Sequence, residues 1–137
     1  MRFRIRKSAH VLERIGLAMA GAASGLFVGA HVGSTISFFT SQAFILFMMI
    51  GGAVGFYLGI DTPPKPFHEH DDPRDIDAAE FLSAVGTFLA ALAAFASVGV
   101  IILREDLHIA WTVAIMAAWS VGVVMQIVAG AIARGRK

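Results

Sequence analysis

The sequence predicts an all-α integral membrane protein with four transmembrane helices, arranged as two antiparallel hairpins. Three observations support this fold class: three long runs without Asp, Glu, Lys or Arg, a hydrophobic content of 57% with a mean hydropathy of +0.73, and glycine at every fourth position in the first run. About 20 apolar residues cross the roughly 30 Å hydrocarbon core of a bilayer. The runs at residues 15–60, 81–103 and 109–133 therefore supply two, one and one crossings.

Charged residues divide the chain into five segments. These are a basic N-terminal segment at residues 1–14, a first transmembrane hairpin at 15–60, a Pro-rich acidic loop at 61–80, a second hairpin at 81–133 and a basic tail at 134–137. The loop is too short to bury a core of its own, so we expect no separate soluble domain. Because the chain has no cysteine, disulfides, thiolate metal sites and thiol redox chemistry are excluded.

The basic residues predict the orientation in the membrane. Ten of the 11 Lys and Arg residues fall in the N-terminal segment, the acidic loop and the C-terminal tail, which leaves Arg104 for the opposite side. Cytoplasmic flanks of membrane helices collect Lys and Arg. We therefore expect both termini and the acidic loop to be cytoplasmic, in a bacterial inner membrane.

Local signals predict where the helices begin and end. We expect an uncharged turn at residues 37–42 between the first two spans and a short link at 104–108 between the last two. Ser8 is a candidate N-cap for the helix that enters the membrane. The third helix has two candidate starts, Asp72 followed by Pro73, or Asp77 in a capping-box-like pair with Glu80.

Small residues recur every fourth position and predict close helix packing. Glycine stripes occur in the first span at Gly21, Gly25, Gly29 and Gly33 and in the second span at Gly51, Gly55 and Gly59. The other two spans carry small or polar residues at Ser83, Thr87, Ala90, Ala94 and Ser97, and at Ala110, Ala114, Ala118, Gly122, Gln126 and Gly130. Helices in lipid associate through close backbone approach and modest polar bonds. We therefore predict glycine-zipper packing in helices 1 and 2, with Gly122 and Gln126 setting the register of helix 4.

Large aromatic residues outnumber what one inward face per helix needs. The set left for lipid or for a partner is Phe27, Phe44, Phe47, Phe88, Phe95 and Trp119. Trp119 falls near the middle of its span, away from the interfacial belts where Trp is usually enriched, and this position favours a packing or anchor role.

Two groups of histidines are candidate ligands. His31 lies inside a span, where ionisable residues are functional candidates, although a packing histidine is the more economical interpretation. His31 and His108 fall at the same predicted membrane surface and form a candidate bis-histidine haem pair. His68 and His70 lie in the acidic loop and are candidate ligands for a divalent ion. Adjacent ligands on a solvated Pro-rich loop favour no tight metal site, so we expect no bound cofactor.

The functional hypothesis is a non-catalytic protein that works by helix association. No motif pairs a nucleophile with a base, and no carboxylate lies within a predicted span to couple ion transport. We expect an accessory or structural subunit or assembly factor of a larger membrane complex, or a homo-oligomer. The expected partners are membrane lipids and other membrane subunits or further copies of the chain, without nucleic acid. Two alternatives remain open: a small oligomeric channel or transporter, and a bis-His haem electron carrier.

Overall fold

The structure is a computed structural model that describes the backbone of residues 2–59 and 78–135 and the side chains from residue 7 onward within those ranges. These described ranges contain no strand and four α-helices: α1 Arg2–Thr35, α2 Gln42–Gly59, α3 Ala78–Leu103 and α4 Ile109–Gly135. Within the same ranges, all four helices include a stretch long and apolar enough to cross a membrane, which in α1 is Lys7–Thr35. The predicted all-helical, multi-pass character is confirmed at this level.

Helix α1 extends well beyond the predicted span. It begins at Arg2, so the basic N-terminal segment and the first span form one continuous helix. The prediction that Ser8 caps this helix is wrong, because Ser8 lies inside it. Arg and Lys are good helix formers, and this propensity allows the helix to extend through the basic segment.

The first turn lies where the sequence predicts it. A 3₁₀ turn at Ser37–Phe39 separates α1 from α2. Ser41 then caps α2, since its Oγ accepts a hydrogen bond from the backbone N–H of Phe44 at 3.2 Å. The rings of Phe39 and Phe44 pack with centroids 4.6 Å apart and hold the turn against the start of α2.

The second connection ends α3 with an unusual residue. Arg104 follows the helix with a φ of 53°, in the left-handed region that normally favours glycine. The N–H of Glu105 donates to the carbonyl of Val100 at 3.2 Å, and that of Arg104 to the carbonyl of Ile101 at 3.3 Å. This is the Schellman pattern of helix termination. A non-glycine residue in this conformation costs about 1–2 kcal/mol.

The start of α3 differs slightly from the predicted segment boundary. The helix includes Ala78 and has Glu80 in its first turn, so the last three residues of the predicted 61–80 loop are helical. The candidate starting residues Asp72 and Asp77 lie outside the described residues.

The helices pack in two close pairs that also contact each other. Helix α1 packs most extensively on α2, and α3 on α4; α2 also contacts α4, and α1 also contacts α3. The core between them consists of small and medium residues with one large aromatic residue at each of two helices: Val28, Val32, Met48, Phe56, Ala90, Ala93, Ala94, Trp119 and Val123. Such a core suits helices that approach closely in lipid.

Candidate functional site

The closest helix contact joins α1 to α2 at glycines. A Cβ added to Gly21 would overlap the carbonyl oxygen of Gly52, and one added to Gly25 would overlap that of Met48. Gly52 shows the reciprocal overlap with Gly21. The backbones therefore touch where the first glycine stripe begins. Gly52 was not among the predicted packing residues, although it follows Gly51 directly.

The remaining glycines of the first stripe are less constrained. A Cβ at Gly29 would make an ordinary contact of 3.5 Å with Met48, and one at Gly33 would lie 2.9 Å from the carbonyl oxygen of Phe39. A helix has 3.6 residues per turn, so a four-residue spacing rotates by about 40° at each step. From Gly21 to Gly33 the stripe therefore turns gradually away from the line of closest contact with α2.

The second stripe faces α4. A Cβ at Gly55 would lie 2.9 Å from Val123 Cγ1, and one at Gly59 would overlap Gln126. Gly51 also faces α4 but is less crowded, because a Cβ added there would make an ordinary contact of 3.5 Å with the Trp119 ring. The two glycine stripes thus serve different helix pairs.

Helix α4 also approaches α3 and α2 through glycine. Gly86 and Gly122 each place an added Cβ 2.6 Å from the other's carbonyl oxygen. A Cβ at Gly130 would lie 2.5 Å from the carbonyl oxygen of Leu58. Gly86 was not among the predicted packing residues, although it lies among the small residues of the third span. On α4, Ala110 and Ala114 are exposed, whereas Gly122, Gln126 and Gly130 are buried.

Polar side chains link the helices inside the bundle. The Trp119 indole N–H donates to Ser24 Oγ at 3.1 Å, and the Ser83 hydroxyl donates to the carbonyl of Gly59. Gln126 is fully buried and its Nε2 donates to Thr87 Oγ1 at 2.9 Å. Its Oε1 has no hydrogen-bond partner among the described residues. Trp119 is therefore an internal packing residue, one of the two roles that its mid-span position favoured, and it does not belong with the aromatic residues left for lipid or a partner.

His31 is part of the same internal set. It is buried, and its Nε2 lies 3.3 Å from Thr112 Oγ1 on α4. His108 lies one helical turn before Thr112 but is exposed, and its Nδ1 accepts the N–H of Ala110 at 3.1 Å at the start of α4. The contacts of His31 are those of a packing histidine. The two histidines make separate contacts, and a haem bound by both stays an alternative.

No metal cluster is visible where the structure describes the chain. Residues 2–59 and 78–135 contain no group of three or more His, Cys, Asp or Glu side chains placed to share an ion. The candidate ligands His68 and His70 lie outside the described residues.

A polar pocket opens at the end of the bundle that carries the 104–108 link, which we call the link end. It has a volume of about 510 Å³ and lies between the end of α1 and the end of α3. Its lining is formed by Ala30, His31, Ser34, Thr35, Val100, Ile101, Arg104, Glu105, Asp106 and Leu107. The pocket therefore combines an imidazole, two hydroxyls and three charges at the level of a helix end.

An apolar groove lies beside this pocket. It has a volume of about 550 Å³ between α3 and α4. Its lining consists of apolar residues, several of them alanines: Leu92, Ala93, Ala96, Val100, Leu107, Trp111, Ala114, Ile115 and Ala118. Val100 and Leu107 line both spaces, so the groove adjoins the polar pocket.

One exposed face of α3 has a regular pattern of large and small residues. Phe81, Phe88 and Phe95 recur every seven residues and are 52%, 65% and 79% exposed. The exposed residues Ala84 and Ala91 lie between them, and Ile102 extends the series by another seven residues. We call these six residues the α3 heptad face. A repeat of seven with alternating large and small positions is typical of a seam that receives another helix.

Two arginines hold side-chain contacts at the end of the bundle opposite the link. Arg134 Nη1 donates to the carbonyls of Leu58 at 3.0 Å and Gly130 at 3.2 Å, so it bridges the ends of α2 and α4. The Arg14 guanidinium lies 5.1 Å from the centre of the Tyr57 ring, within the range of a cation–π interaction. Charges and an amphipathic aromatic residue thus gather at one level, as they do at a membrane surface.

Four helices that are long and apolar enough to cross a membrane indicate a multi-pass helical membrane protein. Comparison with known proteins finds no matching family model, no matching curated protein and no matching solved structure.

Proposed function

We propose that the protein is a non-catalytic integral membrane protein that acts by helix association. It serves as an accessory or structural subunit or assembly factor of a larger membrane complex, or assembles as a homo-oligomer. The observation that carries the proposal is the α3 heptad face, which the single bundle leaves uncovered.

The heptad face supports association better than the glycine stripes do. Gly21, Gly25, Gly55 and Gly59 already contact α2 or α4 inside one chain, so they hold the bundle together. The phenylalanines of α3 instead project outward at a spacing of seven residues, with alanines between them. Large side chains that alternate with small ones can interlock with a second helix and give extensive van der Waals contact. In lipid this contact drives helix association, because burial of apolar surface does not.

The proposed topology has two hairpins with both termini in the cytoplasm of a bacterial cell. The order of contacts along the chain supports the first hairpin. Gly21 contacts Gly52, and Gly25, which lies further along α1, contacts Met48, which lies nearer the start of α2. This is the order expected of antiparallel helices with glycine-zipper packing. The distribution of Lys and Arg supports the orientation.

The experiment compares two matched phenylalanine variants. Phe95→Ala removes one knob of the heptad face that is 79% exposed, whereas Phe47→Ala removes an equally large side chain from α2 that is 72% exposed. Tagged protein is purified in mild detergent, and its mass and stoichiometric partners are measured by native mass spectrometry. We expect the assembly to dissociate in the α3 variant and to persist in Phe47→Ala.

A second measurement separates self-assembly from a foreign partner. The chain has no native cysteine, so a Cys at Ala91 reports neighbours of the heptad face alone. Rapid disulfide formation between two copies in membranes indicates a homo-oligomer. A monomer without a stoichiometric partner, unchanged by the α3 substitution, would refute helix association through this face.

A further inference from the structure

The polar pocket at the link end offers charges of both signs. Arg104 supplies a guanidinium, and Glu105 and Asp106 supply carboxylates. The described residues contain no ion pair between these three side chains. Their charges are therefore open to a ligand that carries a negative group and a positive group close together.

The hydroxyls of the pocket favour the positive group of such a ligand. Ser34 donates its hydroxyl hydrogen to the carbonyl of His31 at 2.7 Å, and Thr35 donates to the same carbonyl at 3.1 Å. With their donors engaged, both oxygens present lone pairs. A primary ammonium has three N–H donors and suits these oxygens together with the two carboxylates.

The guanidinium suits the negative group. Arginine binds phosphate oxygens through two parallel N–H donors, which gives both strength and orientation. Arg104 holds this position in a left-handed backbone conformation where glycine would be the less strained residue. Backbone strain of this kind is concentrated at ligand sites, so the residue type at 104 agrees with a binding role.

The adjoining groove adds an apolar component. It lies between α3 and α4, shares Val100 and Leu107 with the polar pocket, and is lined by alanines and by Trp111. A space lined in this way has room for a flexible hydrocarbon chain. Polar pocket and groove together match a molecule with a charged head and an apolar tail.

We infer that the link end binds a zwitterionic phospholipid with a primary amine in its headgroup. The phosphate pairs with Arg104, the ammonium lies among Glu105, Asp106 and the two hydroxyls, and one acyl chain occupies the groove. Arg104 and the carboxylates recognise the headgroup, and the groove distinguishes a lipid from a soluble phosphoamine.

The test uses the full-length protein, stripped of lipid in detergent, with three additives. Phosphatidylethanolamine and phosphatidylglycerol with identical acyl chains differ in the amine, and glycerophosphoethanolamine has the headgroup without tails. Lipid retention is measured by native mass spectrometry and stabilisation by the midpoint of thermal unfolding. We expect phosphatidylethanolamine to bind at least about tenfold more tightly than phosphatidylglycerol, the ratio that corresponds to about one charged hydrogen bond. Glycerophosphoethanolamine should have little effect.

Three variants localise the site. Arg104→Gly removes the guanidinium while keeping a residue suited to the backbone, and should weaken phosphatidylethanolamine binding about tenfold. Glu105→Gln with Asp106→Asn should remove the preference for the amine, and Ala96→Phe should fill the groove and release the lipid. Glu80→Gln, at the start of α3, is the control and should bind as the unmodified protein does.

Three outcomes would overturn the inference. These are equal binding of the two phospholipids, unchanged phosphatidylethanolamine binding in Arg104→Gly, and stabilisation by glycerophosphoethanolamine equal to that by the lipid. The first two would mean ordinary annular lipid, and the third would mean a soluble ligand.

Discussion

Trp119 on α4 donates its indole N–H to the Ser24 hydroxyl oxygen on α1, 95 residues earlier in the chain, at 3.1 Å. The Ser24 hydroxyl in turn donates a hydrogen bond to the carbonyl of Gly21 at 2.7 Å, next to the glycine contact with α2. One hydrogen-bonded chain therefore connects α4 to the α1–α2 contact. This arrangement explains why Trp119, one of the two tryptophans of α4, lies inside the bundle with 4% of its surface exposed.

The Trp119 contact predicts a specific loss of stability. Ser24→Ala leaves the buried indole N–H without its acceptor, and an interhelical polar bond in a membrane is worth about 0.6 to 2 kcal/mol. We expect a loss of that size in unfolding by mixed detergent and SDS. Trp119→Phe should cost at least as much, because it also removes buried volume. Trp111→Phe is the control, as Trp111 is 64% exposed; equal losses at both tryptophans would argue against the internal bond.

The glycine contact predicts opposite effects of the same substitution at two positions on α1. Gly21→Ala places a Cβ into the Gly52 carbonyl, and overpacking typically costs about 1–3 kcal/mol. At Gly16 no described atom from outside the local helix lies within 4 Å of an added Cβ. Gly16→Ala should therefore be neutral or stabilise by up to about 1 kcal/mol through helix propensity. Equal stability of the two variants would mean that α1 and α2 do not approach this closely.

The backbone of Arg104 predicts that glycine is the better residue there for stability alone. Arg104→Gly relieves the left-handed conformation and should stabilise the lipid-free protein by about 1 kcal/mol. Arg104→Ala removes the same charge but retains the strain, so it should gain nothing. Thermal unfolding of both variants without added lipid tests this, and a greater gain in Arg104→Ala would contradict it.

The proposed topology is tested by labelling single cysteines. A Cys at Glu69, in the acidic loop, should be protected from an impermeant thiol reagent in intact cells, while a Cys at Asp106 should react. The asymmetry of Lys and Arg is the physical reason. Reaction at position 69 from outside would reverse the proposed orientation.

The sequence was sufficient to predict the helices because apolar run length alone determines where a chain can cross a bilayer. The turn at 37–42 and the link at 104–108 follow from the same runs. Which faces meet could not be predicted in the same way. Gly51 belongs to the four-residue pattern but Gly52 makes the backbone contact, because a helix rotates by about 100° between neighbouring residues.

The polar pocket was only partly visible in the sequence. His31 attracts attention as an ionisable residue within a span, but its grouping with Arg104 depends on the end of α1 lying beside the end of α3. No local pattern encodes that contact. The left-handed conformation of Arg104 is equally hidden, since glycine is the usual signal for such a helix end.

Helix α1 is longer than a bilayer is thick. Its 34 residues rise about 51 Å, against roughly 30 Å of hydrocarbon. The length beyond the hydrocarbon core belongs to the same uninterrupted helix, so no turn or loop separates the basic end from the Gly21 contact with α2.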